Sequence, residues 1–201
     1  MLRAILFDLD GVLIDSYDVW LALVSAGARD LGGPAVTRED FAKGWGQGIE
    51  ADVMRWFPGR TIAEVERYYD AHFLDHAGHL KVEPDAARVL DAVRARGLRT
   101  ALVTNTPAPL AREILRVAGL VLDAVVGGTD VARAKPAPDI VLRALELLGV
   151  AAGEAIVVGD TAFDRDAARA AGVRFAGLGI EGNPTLAQLS DVLALAGQPL
   201  S

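Results

Sequence analysis

Two aspartates separated by one residue follow the first apolar segment of the chain, and they could act as a pair. Asp8 and Asp10 stand in the sequence Asp8-Leu9-Asp10-Gly11, directly after a short run of branched apolar residues. One carboxylate of such a pair can attack an electrophile while the other transfers protons, as phosphoryl transfer through an acyl phosphate requires. The alternative is a solvated turn that holds two acids by chance, and the tetrapeptide alone does not decide between them.

Two later segments offer groups that bind phosphate. Thr104 and Asn105 follow a second apolar run and supply a hydroxyl and backbone N–H groups ahead of a predicted helix. A helix N-cap is an open alternative for Thr104 and fully explains Thr106. Lys135 stands in the sequence Lys-Pro-Ala-Pro-Asp, whose prolines stiffen the backbone and hold the ammonium at a fixed place. Taken alone, such a lysine is more often a solvated surface residue.

Two more acids follow the apolar run that ends at Gly159. Asp160 can reach a cation shared with Asp8, and Asp164 can hold a bound water or the lysine. Mg²⁺ prefers oxygen ligands of this kind. Alternatively, these acids are helix N-terminal residues favoured by the helix dipole. Because four separate segment ends carry the acids, the threonine and the lysine, the whole set predicts one nucleophile, one phosphate site and one metal site at a single sheet edge.

The elements that must position these residues alternate regularly after residue 81. Such alternation predicts an α/β fold, with a Rossmann-like, doubly wound parallel sheet. The predicted strands are residues 3–8, 99–104, 124–127, 155–159 and 173–178, and the predicted helices are 84–96, 109–118, 138–148, 164–171 and one that begins at 184 or 185.

Residues 16–80 interrupt this alternation with helices alone. Ser16 is the predicted N-cap of a helix that ends near residue 31, and further helices begin at Thr37 and Thr61. Glu64 completes a capping box with Thr61. Glycines of the sequence Gly-Trp-Gly-Gln-Gly mark a loop inside this helical block.

The predicted organisation is therefore a core with an insertion. Residues 1–15 and 81–201 form the α/β core, and residues 16–80 form a small all-helical cap inserted after the first strand. Such an insertion lies at the carboxyl end of the sheet, where ligands bind in this fold class. The cap is therefore placed to act as a lid.

The composition excludes several classes of function. A formal charge of −7, with arginines scattered among acids, disfavours a nucleic-acid partner. The chain has no Cys and three His, so thiolate chemistry is excluded and a His-rich metal site is disfavoured. No apolar stretch approaches a membrane span. We expect a cytoplasmic protein without a membrane partner, as a monomer or weak homodimer.

The motifs together resemble those of the haloacid dehalogenase superfamily of hydrolases over essentially the whole chain. They are Asp8-Leu-Asp-Gly-Val-Leu, the strand that ends at Thr104, Lys135 in Lys-Pro-Ala-Pro-Asp, and Gly159-Asp160 with Asp164. The resemblance implies the α/β core with a helical cap and a phosphatase that uses Mg²⁺ and a small phosphorylated metabolite.

The resemblance also implies a role for each matching residue. Asp8 would be the nucleophile and Asp10 the general acid and base. The metal ligands would be Asp8, Asp10 and Asp160, supported by Asp164. The phosphate-binding residues would be Gly11, Thr104, Asn105 and Lys135.

Differences within the superfamily favour phosphate ester hydrolysis. Asp10 disfavours dehalogenase chemistry, whose enzymes resemble this chain but lack the second acid. Gly159 and Thr104 stand where the β-phosphoglucomutase-like branch tends to have Glu and Ser. That mutase and a non-catalytic binding protein of the same fold are the alternatives.

The sequence restricts the choice of substrate less than it restricts the type of reaction. The stretches Val-Thr-Asn-Thr-Pro-Ala-Pro-Leu from Val103 and Val-Gly-Gly-Thr-Asp from Val126 are similar to the phosphoglycolate phosphatase group. That group commonly has Lys at the position of Thr106 and Pro-Gly where this chain has Pro84-Asp85, so phosphoglycolate and a sugar phosphate both remain possible substrates. Substrate selection is expected in the cap, at Lys43, Trp45, Gly46 and Arg55.

Overall fold

Six parallel strands form the central sheet of the protein, in a computed structural model that describes residues 1–195. The strands of the described residues are β1 (Ala4–Phe7), β2 (Ile14–Asp15), β3 (Lys81–Val82), β4 (Arg99–Val103), β5 (Ala124–Val126), β6 (Ala155–Gly159), β7 (Arg174–Leu178) and β8 (Thr185–Leu186). The order across the sheet is β5-β4-β1-β6-β7-β8, and every pairing is parallel. The polar residues that follow β1, β4 and β6 therefore lie on neighbouring strands.

Helices cover both faces of this sheet, which confirms the predicted doubly wound fold. The helices of the described residues are α1 (Tyr17–Leu31), α2 (Arg38–Ala42), α3 (Ile49–Trp56), α4 (Ile62–His72), α5 (Ala86–Ala95), α6 (Ala108–Ala118), α7 (Asp139–Leu148), α8 (Ala162–Ala170) and α9 (Val192–Leu195). In residues 1–195, no helix combines the length and the hydropathy needed to cross a membrane.

The hydrophobic core is split in two by the sheet. Ile5 and Phe7 of β1 pack on the face that α5, α6 and α9 cover, while Ala4 and Leu6 pack on the face of α7 and α8. All four side chains are fully buried. This alternation, with both faces apolar, is what a central parallel strand requires.

Helices α1 to α4, together with a 3₁₀ helix (Phe73–His79), form the insertion after β1. Their buried aromatic residues join the larger core cluster, so the insertion packs directly on the α/β core. Strands β2 and β3 pair antiparallel, with Ile14 opposite Val82 and Asp15 opposite Lys81. We propose that this two-stranded ribbon is the junction between the core and the cap.

The predicted elements of the α/β core are confirmed to within a few residues, with one exception. The last predicted helix is wrong at its start, because Thr185 and Leu186 pair with β7 as the edge strand β8 and the helix begins only at Val192. The part of this prediction that covers residues 196–201 lies outside the described residues.

In the insertion, Ser16 occupies the N-cap position of α1, but its side chain makes no capping bond. The predicted N-cap position is therefore confirmed, although the Ser16 hydroxyl does not cap the helix. The capping box of Thr61 and Glu64 is confirmed. Helix α3 directly follows the predicted glycine loop and was not predicted from the sequence.

Backbone packing at the end of β5 fixes the start of α6. A Cβ atom added to Gly127 would lie 2.5 Å from Ala108 Cα and 2.8 Å from the carbonyl oxygen of Thr106. These neighbours are backbone atoms, which a side-chain rotation cannot move away.

We predict that Gly127→Ala lowers the free energy of unfolding by about 1–3 kcal/mol, because the new methyl group overpacks this contact. Gly153→Ala is the matched control, since a Cβ there meets no atom within 4 Å, and it should change stability by less than about 0.5 kcal/mol. Urea unfolding of both variants measures the difference. Equal stability of the two variants would contradict the packing argument.

Candidate active site

The ammonium of Lys135 lies buried at the carboxyl ends of the central strands. Its Nζ atom is 2.8 Å from Asp8 Oδ1 and 2.5 Å from Asp164 Oδ1. It also donates a hydrogen bond of 3.0 Å to the carbonyl oxygen of Val103, the last residue of β4. The residue is 5% exposed, so the alternative of a solvated surface lysine is excluded.

The pKa values of Lys135 and Asp8 are both raised, but for different reasons. Burial would lower the pKa of Lys135, but Asp164 and Asp8 outweigh it and raise that pKa, so the ammonium stays charged. Burial, with the charge of Asp164 beside it, raises the pKa of Asp8 well above its ordinary value, and only Lys135 opposes this. The ionised form of Asp8 therefore depends on positive charge close by.

Three carboxylates come together around this lysine. Oxygen atoms of Asp8, Asp160 and Asp164 lie within 4.8 Å of one another. Asp160 Oδ1 is buried without a hydrogen-bond partner among the described residues, and the neighbour of Asp8 Oδ1 there is the Lys135 ammonium. Burial, and then the charge of Asp164, raise the pKa of Asp160 to about 7. Buried carboxylate oxygens at this spacing, with that of Asp160 unpartnered, fit a divalent cation such as Mg²⁺.

Helix α8 begins at this cluster. Asp164 completes a capping box with Thr161, whose backbone N–H donates to Asp164 Oδ2 at 3.1 Å. The other oxygen of Asp164 binds Lys135. Both interpretations of Asp164, as a helix-capping acid and as a partner of the lysine, therefore hold at once.

Gly11 allows the chain to turn sharply after Asp10, at a point where it packs against Asp160. Its φ of 80° lies in the left-handed region, and an added Cβ would lie 2.1 Å from Asp160 Oδ2. Any side chain at this position would therefore push Asp160 out of the cluster.

Asp10 is held apart from the three clustered carboxylates. Its Oδ1 accepts hydrogen bonds from Ser16 Oγ and, at 2.9 Å, from Trp20 Nε1. Its Oδ2 accepts from Thr106 Oγ1 at 2.9 Å. Three donors thus fix the carboxylate of Asp10, whereas the group of carboxylates able to share a cation does not include it.

Asn105 joins three loops at the site. Its Nδ2 donates to the carbonyl oxygens of Gly46 and Lys135, at 3.0 Å each, and its Oδ1 accepts from the Lys135 N–H at 2.8 Å. The side-chain amide is thus fully used, and only the backbone of Asn105 remains for a ligand. Thr104 Oγ1 accepts from the Thr106 N–H at 3.1 Å.

The insertion closes over these residues and forms a pocket with them. Asp8, Asp10, Thr104 and Lys135 line its floor, and the insertion contributes side chains that are mostly aromatic. The residues from the insertion are Trp20, Phe41, Gly44, Trp45, Gly46, Gln47, Ile49, Asp52 and Tyr69. Trp45 and Gly46, predicted to select the substrate, are thus in this pocket.

Lys43 and Arg55 lie elsewhere. Lys43 Nζ is 3.1 Å from Glu39 Oε1 and 3.0 Å from Asp40 Oδ1. Arg55 lies 3.9 Å from the same Asp40 oxygen and stacks on Trp56. Neither residue lines the pocket, so the structure does not bring these two predicted substrate-selecting cations to the site.

Sequence reasoning missed five residues of this site. Ser16 was interpreted as an N-cap and Thr106 as another, although both donate to Asp10. Trp20 and Tyr69 were predicted to lie in helices, without a role in the site. Asp52 lies on α3, the helix that was not predicted. A signal existed for Thr106, which departs from the lysine common in the related phosphatase group.

This chain is similar to known proteins in sequence and in fold. The family model for haloacid dehalogenase-like hydrolases matches residues 5–178. A phosphoglycolate phosphatase of Aquifex aeolicus is 34% identical over 179 residues, covering 87% of this chain and 84% of that protein.

Two solved structures share the fold. CbbY of Rhodobacter sphaeroides, solved in complex with phosphate, has a TM-score of 0.79 and 24% identity, covering 94% of this chain and 88% of that one. The β-phosphoglucomutase of Clostridium difficile has a TM-score of 0.82 and 17% identity, covering 96% and 93%. The family match and the Aquifex relative together show that this chain belongs to the haloacid dehalogenase-like hydrolase family.

Proposed function

We propose that this hydrolase is a Mg²⁺-dependent phosphatase that cleaves a small phosphomonoester through an aspartyl phosphate on Asp8. The chain acts as a phosphoric monoester hydrolase, in line with the name of its Aquifex relative. The observation that carries the proposal is the buried carboxylate of Asp8, which lies 2.8 Å from the ammonium of Lys135 at the floor of the pocket.

Asp8 is the group placed to attack phosphorus. It lies at the end of β1, in the centre of the sheet, where the backbone is rigid. Lys135 can bind a phosphoryl oxygen while it also favours the ionised carboxylate. The hydroxyl of Thr104, with the backbone at Gly11 and Asn105, completes the proposed phosphate site.

Asp8, Asp160 and Asp164 are the residues proposed to surround the metal ion. A bound Mg²⁺ supplies positive charge that favours ionised Asp8 and offsets the charge of the phosphoryl oxygens. Asp160 has the free oxygen for this role, whereas Asp164 is shared with Lys135 and Thr161 and supports the arrangement.

Asp10 is placed to move the protons. As Asp8 forms a bond to phosphorus, the bond to the leaving oxygen breaks, and Asp10 gives that oxygen its proton. A water then attacks phosphorus, Asp10 takes the water's proton, and the bond from Asp8 to phosphorus breaks. Ser16, Trp20 and Thr106 hold Asp10 in position for both steps.

The two rival functions have less support. The likeness to a β-phosphoglucomutase is 17% in sequence and concerns the fold alone. A non-catalytic binding protein would have no need to keep a buried nucleophile, a fixed second acid and a lysine at one point. Hydrolysis therefore remains the proposal.

The proposal predicts phosphate release that depends on Mg²⁺ and on Asp8. Wild type should release phosphate from small phosphomonoesters with Mg²⁺ and should stop with EDTA. Asp8→Asn should lower kcat by at least about a thousandfold, because the amide is not a nucleophile. Asp91→Asn, at an exposed carboxylate on α5, is the matched control and should retain full activity. Near-normal turnover of Asp8→Asn would overturn the mechanism.

The hydrogen bond to Asp10 gives a second prediction. Thr106→Val keeps the side-chain shape but removes the donor to Asp10 Oδ2, so kcat should fall about tenfold with KM nearly unchanged. Thr100→Val is the control, since it removes a threonine donor to Asp123 at the other end of β4. Steady-state kinetics of the two variants decide the matter. If both lose the same activity, the hydroxyl of Thr106 has no special role in positioning Asp10.

A further inference from the structure

A carboxylate from the insertion faces the same pocket as the proposed nucleophile. Asp52, on α3, lines that pocket together with Tyr69 of α4. The Tyr69 hydroxyl donates a hydrogen bond of 2.8 Å to Asp52 Oδ2. Nothing in the mechanism above uses this pair, although it lies on the side of the pocket opposite the strand ends.

The Asp52 carboxylate has a free acceptor. Its Oδ1 has no hydrogen-bond partner among the residues that the structure describes, and Oδ2 receives only Tyr69. Tyr69 is 1% exposed, so its ring and hydroxyl hold the carboxylate in one orientation. Burial raises the pKa of Asp52 to about 6, while Tyr69 and Arg55 lower it, so the group is mostly ionised at neutral pH.

Positive charge is scarce in this pocket. Of the described residues that line it, only Lys135 is a cation, and its ammonium is the group proposed to bind the phosphoryl oxygen. Lys43 and Arg55 form ion pairs with Asp40 and do not line the pocket. No cation of the cap is among the described residues that line the pocket, so a carboxylate on the leaving group would meet the negative charge of Asp52 there.

The remaining lining suits a different kind of leaving group. Trp20, Phe41 and Trp45 offer ring surfaces, against which the C–H faces of a carbohydrate pack well. A hydroxyl group can donate to an ionised carboxylate, and such charge-assisted hydrogen bonds are the stronger ones. Aromatic surface beside a buried acceptor thus matches a leaving group that carries several hydroxyls.

We propose that Asp52, held by Tyr69, selects hydroxyl-bearing leaving groups such as those of sugar and polyol phosphates, and rejects leaving groups that carry a carboxylate. This assignment rests on the phosphatase function proposed above. It separates the chain in specificity from relatives named phosphoglycolate phosphatase, whose named substrate carries a carboxylate.

The test compares two esters that differ at one carbon. Glycerol 3-phosphate and 3-phosphoglycerate have the same chain length and phosphate position, but one ends in a hydroxymethyl group and the other in a carboxylate. The quantity measured is the ratio of their kcat/KM values with Mg²⁺. Wild type should favour glycerol 3-phosphate by at least about tenfold, the effect of one charge-assisted contact.

Asp52→Asn keeps the shape and an acceptor for Tyr69 but removes the charge. This ratio should fall about tenfold in the variant, through a loss with glycerol 3-phosphate and a gain with 3-phosphoglycerate. Glu50→Gln removes an exposed carboxylate from the same helix and should keep the wild-type ratio. Thermal melting of each variant establishes that it is folded.

The outcomes separate the two proposals. A wild-type preference for 3-phosphoglycerate, or a ratio that Asp52→Asn leaves unchanged, contradicts the role of Asp52 while phosphate release still supports the phosphatase. The wild-type ratio alone decides if Asp52→Asn does not fold. Release from neither ester nor from p-nitrophenyl phosphate would contradict both proposals.

Discussion

The buried ammonium of Lys135 is the interaction on which the arrangement of the site depends. A charge removed from water is tolerated only where partners surround it, and here the partners come from three different segments. Asp8 follows β1, the Val103 carbonyl ends β4, and Asp164 begins the helix after β6. Loss of any one partner would leave buried charge without compensation. The order of strands that makes β4, β1 and β6 neighbours is therefore also what assembles the site.

The same cluster carries more negative charge than one lysine can balance. Asp8 and Asp160 have pKa values raised above normal, and Asp160 has a buried oxygen without a partner in the described part of the chain. Such an imbalance is unfavourable for folding but useful for chemistry, since it can be relieved by a cation and a phosphate. Lys135 and Gly11 hold the carboxylates close in spite of their repulsion. Binding of a metal ion and a phosphate would therefore relieve this local instability.

Much of this structure could be predicted from the sequence, because its strongest patterns are local. Apolar runs that end in Asp8, Thr104 and Asp160 marked buried strands and the edge at which they meet. Contacts across the chain were harder to predict: Thr106 and Ser16 look like helix caps until the fold brings Asp10 between them. Lys43 and Arg55 were expected near the substrate, but Asp40, close to them on the insertion, attracts both. The prediction of a helix from residue 184 or 185 is wrong for a similar reason, because the pairing of β8 with β7 outweighs any helical tendency after Pro184.

The insertion and the core each contribute residues to one pocket. The strand ends hold the groups proposed to act on phosphorus, while α3 and α4 present the groups proposed to meet the rest of the substrate. Asn105 links the two parts through Gly46. The proposed mechanism requires that phosphorus becomes bonded to Asp8 during turnover. Acid quenching of the working enzyme, followed by peptide mass spectrometry, detects this bond. We expect the peptide containing Asp8 to gain the mass of one phosphoryl group, at Asp8 itself. Rapid phosphate release without any such peptide, or with the phosphoryl group on another residue, would contradict it.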